Sequence, residues 1–360
     1  MPKLEETNYI GCIVGGAIGD AIGAPTEFID LNSIISKYGS IGVNDYVEFP
    51  DGKGEITDDT QMLLFTAEGL LRSLHRTNIT GVWGDYTQIC YQSYLRWLST
   101  QSDWYADDAT KNIQLNGWLI KERFLFRRRG PGNTCLTALR SGKPGTMEHP
   151  INNSKGCGGI MRIAPVGLLF HISPAQAFQI GAELAAMTHG HPSGYLSAGY
   201  LSALIAYINN GDSLMASIVK AGNILKEYPG YEETQIAIER AVNLYHLGQP
   251  SYQSVEMLGL GWIGEEALSI SLYCALCFQN DFEKAINLAA NHSGDSDSTG
   301  AITGNIVGLI LGEHGIPERW IENLSNYEAI KQIATDLYIE VNGNIHDNSY
   351  SEWERKYPSC

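Results

Sequence analysis

Two acidic clusters lie near opposite ends of the 360-residue chain, and each sets carboxylates beside hydroxyls. The first, "GEITDDTQM", holds Glu55, Thr57, Asp58 and Asp59 at the start of an apolar-periodic run. The second, "NHSGDSDSTGAITGNIVGLILG", holds Asp295, Asp297 and Ser298. Carboxylate and hydroxyl oxygens are hard donors of the kind that suit Mg²⁺ or Ca²⁺. Either cluster alone has a structural reading. Acidic residues are favoured at a helix N-terminus by its dipole and free N–H groups, and Ser298 or Asp297 could simply cap a helix. "DSDSTG" also matches the first half of a calcium loop. That match breaks down at Thr299 in the fifth position and at Ile306 in the twelfth, where a bidentate Glu is required. Together, the oxygen donors suit a Mg²⁺ or Ca²⁺ site with more than one ion. Neither cluster contains a thiolate, and His292 is the only imidazole nearby, which disfavours zinc.

Three further stretches could border such a site. "GDAIGAPTEF" supplies Asp20 and Glu27, the latter just past a glycine-rich helix. "SKGCGGIMRIAPVG" contains Gly156, Gly158 and Gly159, whose backbone N–H groups could cradle an anion, although it is not a dinucleotide fingerprint after a strand. "MTHGHPSGY" places His189 and His191 at the end of an apolar helix. There, two histidines two residues apart do not share a face, and imidazoles commonly meet free carbonyls.

The elements that must position these residues read as helices. "TDDTQMLLFTAEGLLRSL" sets Met62, Phe65, Leu70 and Leu74 at helical spacing, with Thr57 as its N-cap. "SPAQAFQIGAELAAMTH", "SGYLSAGYLSALIAYINN", "GEEALSISLYCALCF" and "DFEKAINLAANH" follow the same period, and alternating strand patterns are scarce. The expectation is an all-α fold in one domain over residues 1–360, because no linker-like run divides the chain. Glycines at three- or four-residue spacing recur near the start (Gly15 or Gly16, Gly19, Gly23) and near the end (Gly300, Gly304, Gly308, Gly312). Each costs a helix about 0.5–1 kcal/mol relative to alanine, so the two faces are expected to pack closely on each other. Residues 99–150 read as irregular loops and short helices.

Composition narrows the function classes. A net charge of −16 disfavours nucleic acid and anionic membranes as partners, leaving room for a locally positive pocket for a small anion. The short basic run "RFLFRRRG" reads as structural or solvated. Seven scattered cysteines do not form a disulfide framework, and Cys274-x-x-Cys277 lies in an apolar helical stretch that does not suit a redox or zinc motif. No signal-peptide pattern and no run of about 18 apolar residues is evident, so a cytoplasmic protein is expected.

In this order, "GCIVGGAIGDAIGAPTEF", "GEITDDTQM", "RRGPGNTCLTAL", "GCGGIMRIAPVGLLF", "AAMTHGHPSGY" and "NHSGDSDSTGAITGNIVGLILG" resemble the ADP-ribosylglycohydrolase family across residues 8–315, the "RRGPGNT" version its bacterial members in particular. The resemblance implies a compact all-α fold with a central two-metal site, usually Mg²⁺ or Mn²⁺. Thr57, Asp58 and Asp59 would bind from one side, and Asp295, Asp297 and Ser298 would complete the pair. Glu27 would contact the metal-site water or substrate. The loop of Gly156, Cys157, Gly158, Gly159 and Met161 would line the diphosphate and ribose, with His189 near the substrate. The sequence departs from the family pattern in Asp-Ser-Asp-Ser for Asp-Thr-Asp-Thr, and in Cys157 for the more usual Asn. The implied reaction cleaves the C1″ bond joining ADP-ribose to a protein side chain, arginine being favoured. Glu27 and Asp59 are the acid/base candidates, left unranked. The alternatives are an immunity or binding protein that blocks an ADP-ribosylating toxin, and a hydrolase of a free ADP-ribose derivative or a phosphoester. Residues 99–150 and the C-terminal extension 331–360 are where a partner-specific surface is expected.

Overall fold

Glycine at every fourth residue leaves a helix with one face of bare backbone, and two such faces can meet at backbone contact distance. A computed structural model of the chain describes residues 4–81, 85–101, 108–111, 113–343 and 350–359. The stretch 103–112, expected to be irregular, falls outside these at 103–107 and 112, as does Cys360. The helices run α1 (Glu6–Gly23), α2 (Leu31–Tyr38), α3 (Asp58–Thr80), α4 (Tyr86–Thr100), α5 (Asn133–Arg140) and α6 (Ala164–Leu169). They continue with α7 (Pro174–Ala186), α8 (Pro192–Asn209), α9 (Leu214–Leu225), α10 (Glu232–His246), α11 (Tyr252–Glu256) and α12 (Gly264–Phe278). The last are α13 (Phe282–Ala290), α14 (Ser296–Leu311), α15 (Glu318–Asn323), α16 (Tyr327–Asn342) and α17 (Tyr350–Lys356). Among the described residues there is no strand, only two isolated bridges. No single helix there is long and apolar enough to cross a membrane.

The glycine faces of α1 and α14 pack antiparallel: Gly11 meets Gly308, Gly15 meets Gly304, Gly19 meets Gly300 and Gly23 meets Ser296. A Cβ on Gly15 would sit 2.7 Å from the Gly304 carbonyl oxygen, and the other pairs are tighter. Asn305 ties the pair further, its side-chain amide donating to the Cys12 carbonyl at 2.8 Å. The chain's two ends therefore share one core, and each acidic cluster is delivered from one of these ends.

Helix α3 starts against α1. The buried Asp20 carboxylate accepts from the N–H of Thr57 (3.0 Å) and of Thr60 (3.2 Å), and from the Thr60 hydroxyl (2.5 Å). A side chain of one helix thus satisfies first-turn donors of another. Thr57 is the N-cap expected, its hydroxyl accepting from the Asp59 N–H at 3.3 Å. Met62, Phe65 and Leu70 are fully buried, each worth on the order of 1.5–3 kcal/mol. Past the end of α4, the described residues of 99–150 carry short 3₁₀ turns and α5. In the C-terminal segment, α16 buries Ile330, Ile333 and Leu337 and sets Tyr338 edge-on to Tyr9, while α17 buries Trp353 and Tyr357. Cys274 and Cys277 lie within α12.

Candidate functional site

The N-termini of α3 and α14 open onto one cleft of about 340 Å³. Asp58, Asp59, Asp295, Asp297, Ser298 and Glu27 line it together with Gly156, Cys157, Gly158, Met161 and His189. Thr57 and Gly159 are not in its lining. Thr57 spends its hydroxyl on the α3 cap, and Gly159 is buried with its α-carbon facing Ala185 and the Gly194 carbonyl.

The carboxylates are oriented by a few donors. The Ser298 hydroxyl donates to Asp59 Oδ2 at 2.7 Å, and the Ser298 N–H donates to Asp297 Oδ1 at 2.9 Å and to Asp295 Oδ1 at 3.3 Å. Asp295 is thus the N-cap of α14, where Ser298 or Asp297 was expected. The Cys157 thiol donates to Asp295 Oδ2 at 2.7 Å, and burial beside Asp295 and Asp59 pushes its pKa well above the usual thiol value, so it stays a donor. Asp58 accepts the Gly132 N–H at 3.3 Å, while its own N–H goes to the Arg129 carbonyl at 2.9 Å. These bonds fold the "RRGPGN" loop over the start of α3. Arg129 is itself held by a bidentate pair with Glu48 (2.6 and 2.5 Å).

Among the described residues, no lysine or arginine lines this cleft. Burial, then repulsion from Asp297, raises the Asp58 pKa to about 8. Burial and the charges of Asp297, Asp295 and Asp58 raise Glu27 to about 10. Asp59 and Asp295 are driven up by the same two causes. Oxygens of Glu27, Asp295 and Asp297 lie within 4.8 Å of one another. Such a crowd of like charges is strained as it stands, and hard oxygen donors around one cavity are what a hard divalent cation requires. The residues present fit such an ion.

A model of the family described as ADP-ribosylglycohydrolase matches residues 1–346. The chain belongs to the ADP-ribosylglycohydrolase family. Among its relatives, it is 26% identical to an ADP-ribosylarginine hydrolase of Serratia proteamaculans over 94% of this chain and 81% of that one. It is 24% identical to the ADP-ribosyl-[dinitrogen reductase] glycohydrolase of Rhodospirillum rubrum, over 88% and 89%. A solved structure titled ADP-ribosylglycohydrolase-related protein complex superposes with a TM-score of 0.64 at 22% identity, over 93% of this chain and 98% of that one. Family and relatives together make the chain an ADP-ribosylglycohydrolase, a hydrolase.

Other parts of this glycohydrolase cleft differ from what the sequence suggested. In the glycine loop, the Gly156 N–H donates to Ser154 Oγ (3.3 Å) and the Cys157 N–H to the Trp262 carbonyl (3.1 Å), so of the three glycines expected to cradle an anion Gly156 is already engaged. The loop also supplies close approach. Cβ atoms on Gly156 and Gly158 would lie 3.5 and 3.3 Å from His189 Nε2. His189 does not bond a helix carbonyl; its Nδ1 faces the Thr188 hydroxyl at 2.9 Å. That hydroxyl also accepts from Arg162 Nη2 at 2.8 Å and lies 3.4 Å from the Ala185 carbonyl, so its one proton can serve either that carbonyl or Nδ1. Burial and Arg162 lower the His189 pKa to about 3, so the ring is neutral. His292 turns away, its Nε2 bonding Thr299 at 2.9 Å. His191 caps α8 through the Ser193 N–H.

Several lining residues had no sequence signal. Phe28 is 75% exposed, adopts φ +64°, and stacks on Trp262 with ring centroids 4.8 Å apart. Trp262 stands in a stretch with no chemistry-bearing pattern. Gly130 to Cys135 belong to the "RRGPGNT" motif, whose spacing announced a loop without saying what it covers.

Proposed function

We propose that this cleft is a divalent-metal centre that hydrolyses the C1″ bond between ADP-ribose and an arginine side chain of a modified protein. The observation that carries the reading is the buried group of carboxylates with no cation lining the cavity. Asp58, Asp59, Asp295 and Asp297, with the Ser298 hydroxyl, would hold up to two ions, Mg²⁺ or Mn²⁺. Bound ions would supply Lewis-acid orientation of ribose hydroxyls and a water of lowered pKa.

The chain's own residues contribute the rest. The Ser298 hydroxyl occupies one oxygen of Asp59, while the Cys157 thiol and the Ser298 N–H fix the two oxygens of Asp295, so both carboxylates are oriented before any ion binds. Glu27 is half-buried and makes no hydrogen bond, so among the two acid/base candidates it is the one free to move a proton to the leaving nitrogen. Burial, then the charges of Asp297 and Asp295, raises its pKa in the metal-free protein and favours the protonated form that such a step needs. Asp59, tied to Ser298, is the positioned carboxylate that stabilises the oxocarbenium-like transition state. Neutral His189 offers Nε2 to a polar group of the substrate, and the exposed Phe28 ring suits a flat heteroaromatic group. The arginine linkage rests on the relative named for that substrate.

The test is ADP-ribose release from an arginine-ADP-ribosylated protein in Mg²⁺ and in EDTA, beside a serine-linked substrate. The expected result is release from the arginine substrate at least about a thousandfold faster with metal. Release from the serine substrate alone would replace the linkage. Equal rates in Mg²⁺ and EDTA would refute the metal-dependent scheme.

A further inference from the structure

A second cavity of about 330 Å³ opens where α3, α4, residues 114–116 and the chain's last described residues meet. Among the described residues, its wall carries three guanidinium groups, Arg72, Arg76 and Arg96, with the amides of Gln88, Gln92 and Gln114, and no carboxylate. One acid lies behind it. The fully buried Glu68 takes Arg96 Nε and Nη2 on Oε2 (3.1 and 3.0 Å), Ser93 Oγ on the same oxygen (2.8 Å), and Arg72 Nη2 on Oε1 (3.0 Å).

Glu68 neutralises one of these arginines. Arg72 gives its remaining donors to the Asn116 carbonyl (2.6 Å) and side chain (2.8 Å), both neutral, and its Nε is buried with no partner. Among the described residues, Arg96 Nη1 makes no bond and Arg76 is exposed without an ion pair. Glu354 on α17 is taken by His75 at 2.6 Å. A clamp joining α3 to α4 needs one arginine opposite Glu68. The other two leave an unmatched positive charge, held rigidly and partly desolvated, in a chain of net charge −16. Arg96 Nη1 and the exposed Arg76 guanidinium, on the wall of one cavity, are left to meet the oxygens of a phosphoryl group, and the amides can bond sugar hydroxyls. The volume suits a small molecule.

We propose that this cavity is a second ligand site, distinct from the carboxylate cleft, that takes the phosphoryl end of a small phosphorylated molecule. Arg72 and Arg76 lie about four to five turns along α3 from Asp58, so an occupant here does not reach the cleft.

The experiment is calorimetric titration of the full chain with two probes, inorganic pyrophosphate and ribose 5-phosphate. It is repeated on Arg76→Glu, on Gln92→Glu, and on the cleft variant Asp58→Asn/Asp297→Asn. Arg76 is exposed, and the bonds to Glu68 come from Arg72, Ser93 and Arg96, so both substitutions spare the buried cluster, and the helical circular dichroism of each variant confirms that it folds. At least one probe is expected to saturate the wild type with a Kd below about 1 mM. Binding should weaken at least tenfold in Arg76→Glu and Gln92→Glu, and stay unchanged in the cleft variant. The probe that binds tells a diphosphate from a phosphorylated sugar. No saturable binding of either probe, or equal binding in Arg76→Glu, would overturn the proposal. So would loss in the cleft variant, which would place the ligand there.

Discussion

Asp58 has little to hold its negative charge: one N–H from Gly132, and burial in the company of Asp297 and Asp20. Its folded pKa of about 8 stands above the unfolded value, so between the two the folded state binds a proton that the unfolded chain does not. Stability then falls as pH rises through that window. Asp20, raised to about 7 by burial and Asp297, has the same sign. Metal-free protein should therefore melt at a higher temperature near pH 6 than near pH 8, and saturating Mg²⁺ should flatten the slope. Scanning calorimetry across this range checks it. A melting temperature that climbs with pH in the metal-free protein would count against an unpaired carboxylate cluster. Glu68 works the other way: its two arginines hold it below the usual Glu range against the cost of burial. Its contribution is present above the unfolded pKa and is lost as pH falls through the depressed folded value, below the window above.

At the scale of elements, the α1–α14 contact is the structural premise of the cleft, because it delivers Asp20 and Asp297 to adjacent helix ends. Gly304→Val would drive a side chain into the Gly15 carbonyl, a backbone atom that cannot move aside. It should destabilise the protein by about 3 kcal/mol or more. Gly222→Ala in α9 is the control: the nearest neighbour of its added Cβ is Gln235 Oε1 at 3.7 Å, so it should be neutral or stabilising by about 0.4–1 kcal/mol. Urea unfolding of the two variants separates close packing from propensity, and equal midpoints would contradict the ladder. This contact was legible because a four-residue glycine period can only be one face of a helix. The α14 cap was not. Asp295, Asp297 and Ser298 all suit an N-cap, and choosing among them needs the backbone turn at Asp295 that the neighbouring Leu260 carbonyl anchors. The glycine loop was partly legible: its glycines pointed to backbone N–H groups, but the Cys157 N–H finds its partner about a hundred residues away at Trp262.

Across the whole molecule, negative charge is both the surface character and the content of the cleft, and the two have different meanings. Exposed acids keep a chain of net charge −16 apart from other polyanions. Buried acids without cations are a demand for a ligand. Which residues converge was readable from the two clusters and Glu27, since carboxylates beside glycine-faced helices have few other reasons to recur. The aromatic mouth of Phe28 and Trp262 was not, because neither residue carries a pattern and their stacking depends on a loop turn at positive φ. The arginine cavity was equally hidden: Arg72, Arg76 and Arg96 sit on two helices and are gathered only by the α3–α4 packing. The most direct test of the central claim is a Mn²⁺ titration of the full chain followed by electron paramagnetic resonance, with Asp58→Asn/Asp297→Asn alongside. The account predicts saturable binding of up to two Mn²⁺ by the wild type, lost in a variant whose helical circular dichroism is unchanged. Equal Mn²⁺ binding by the folded variant, or none by the wild type, would contradict it.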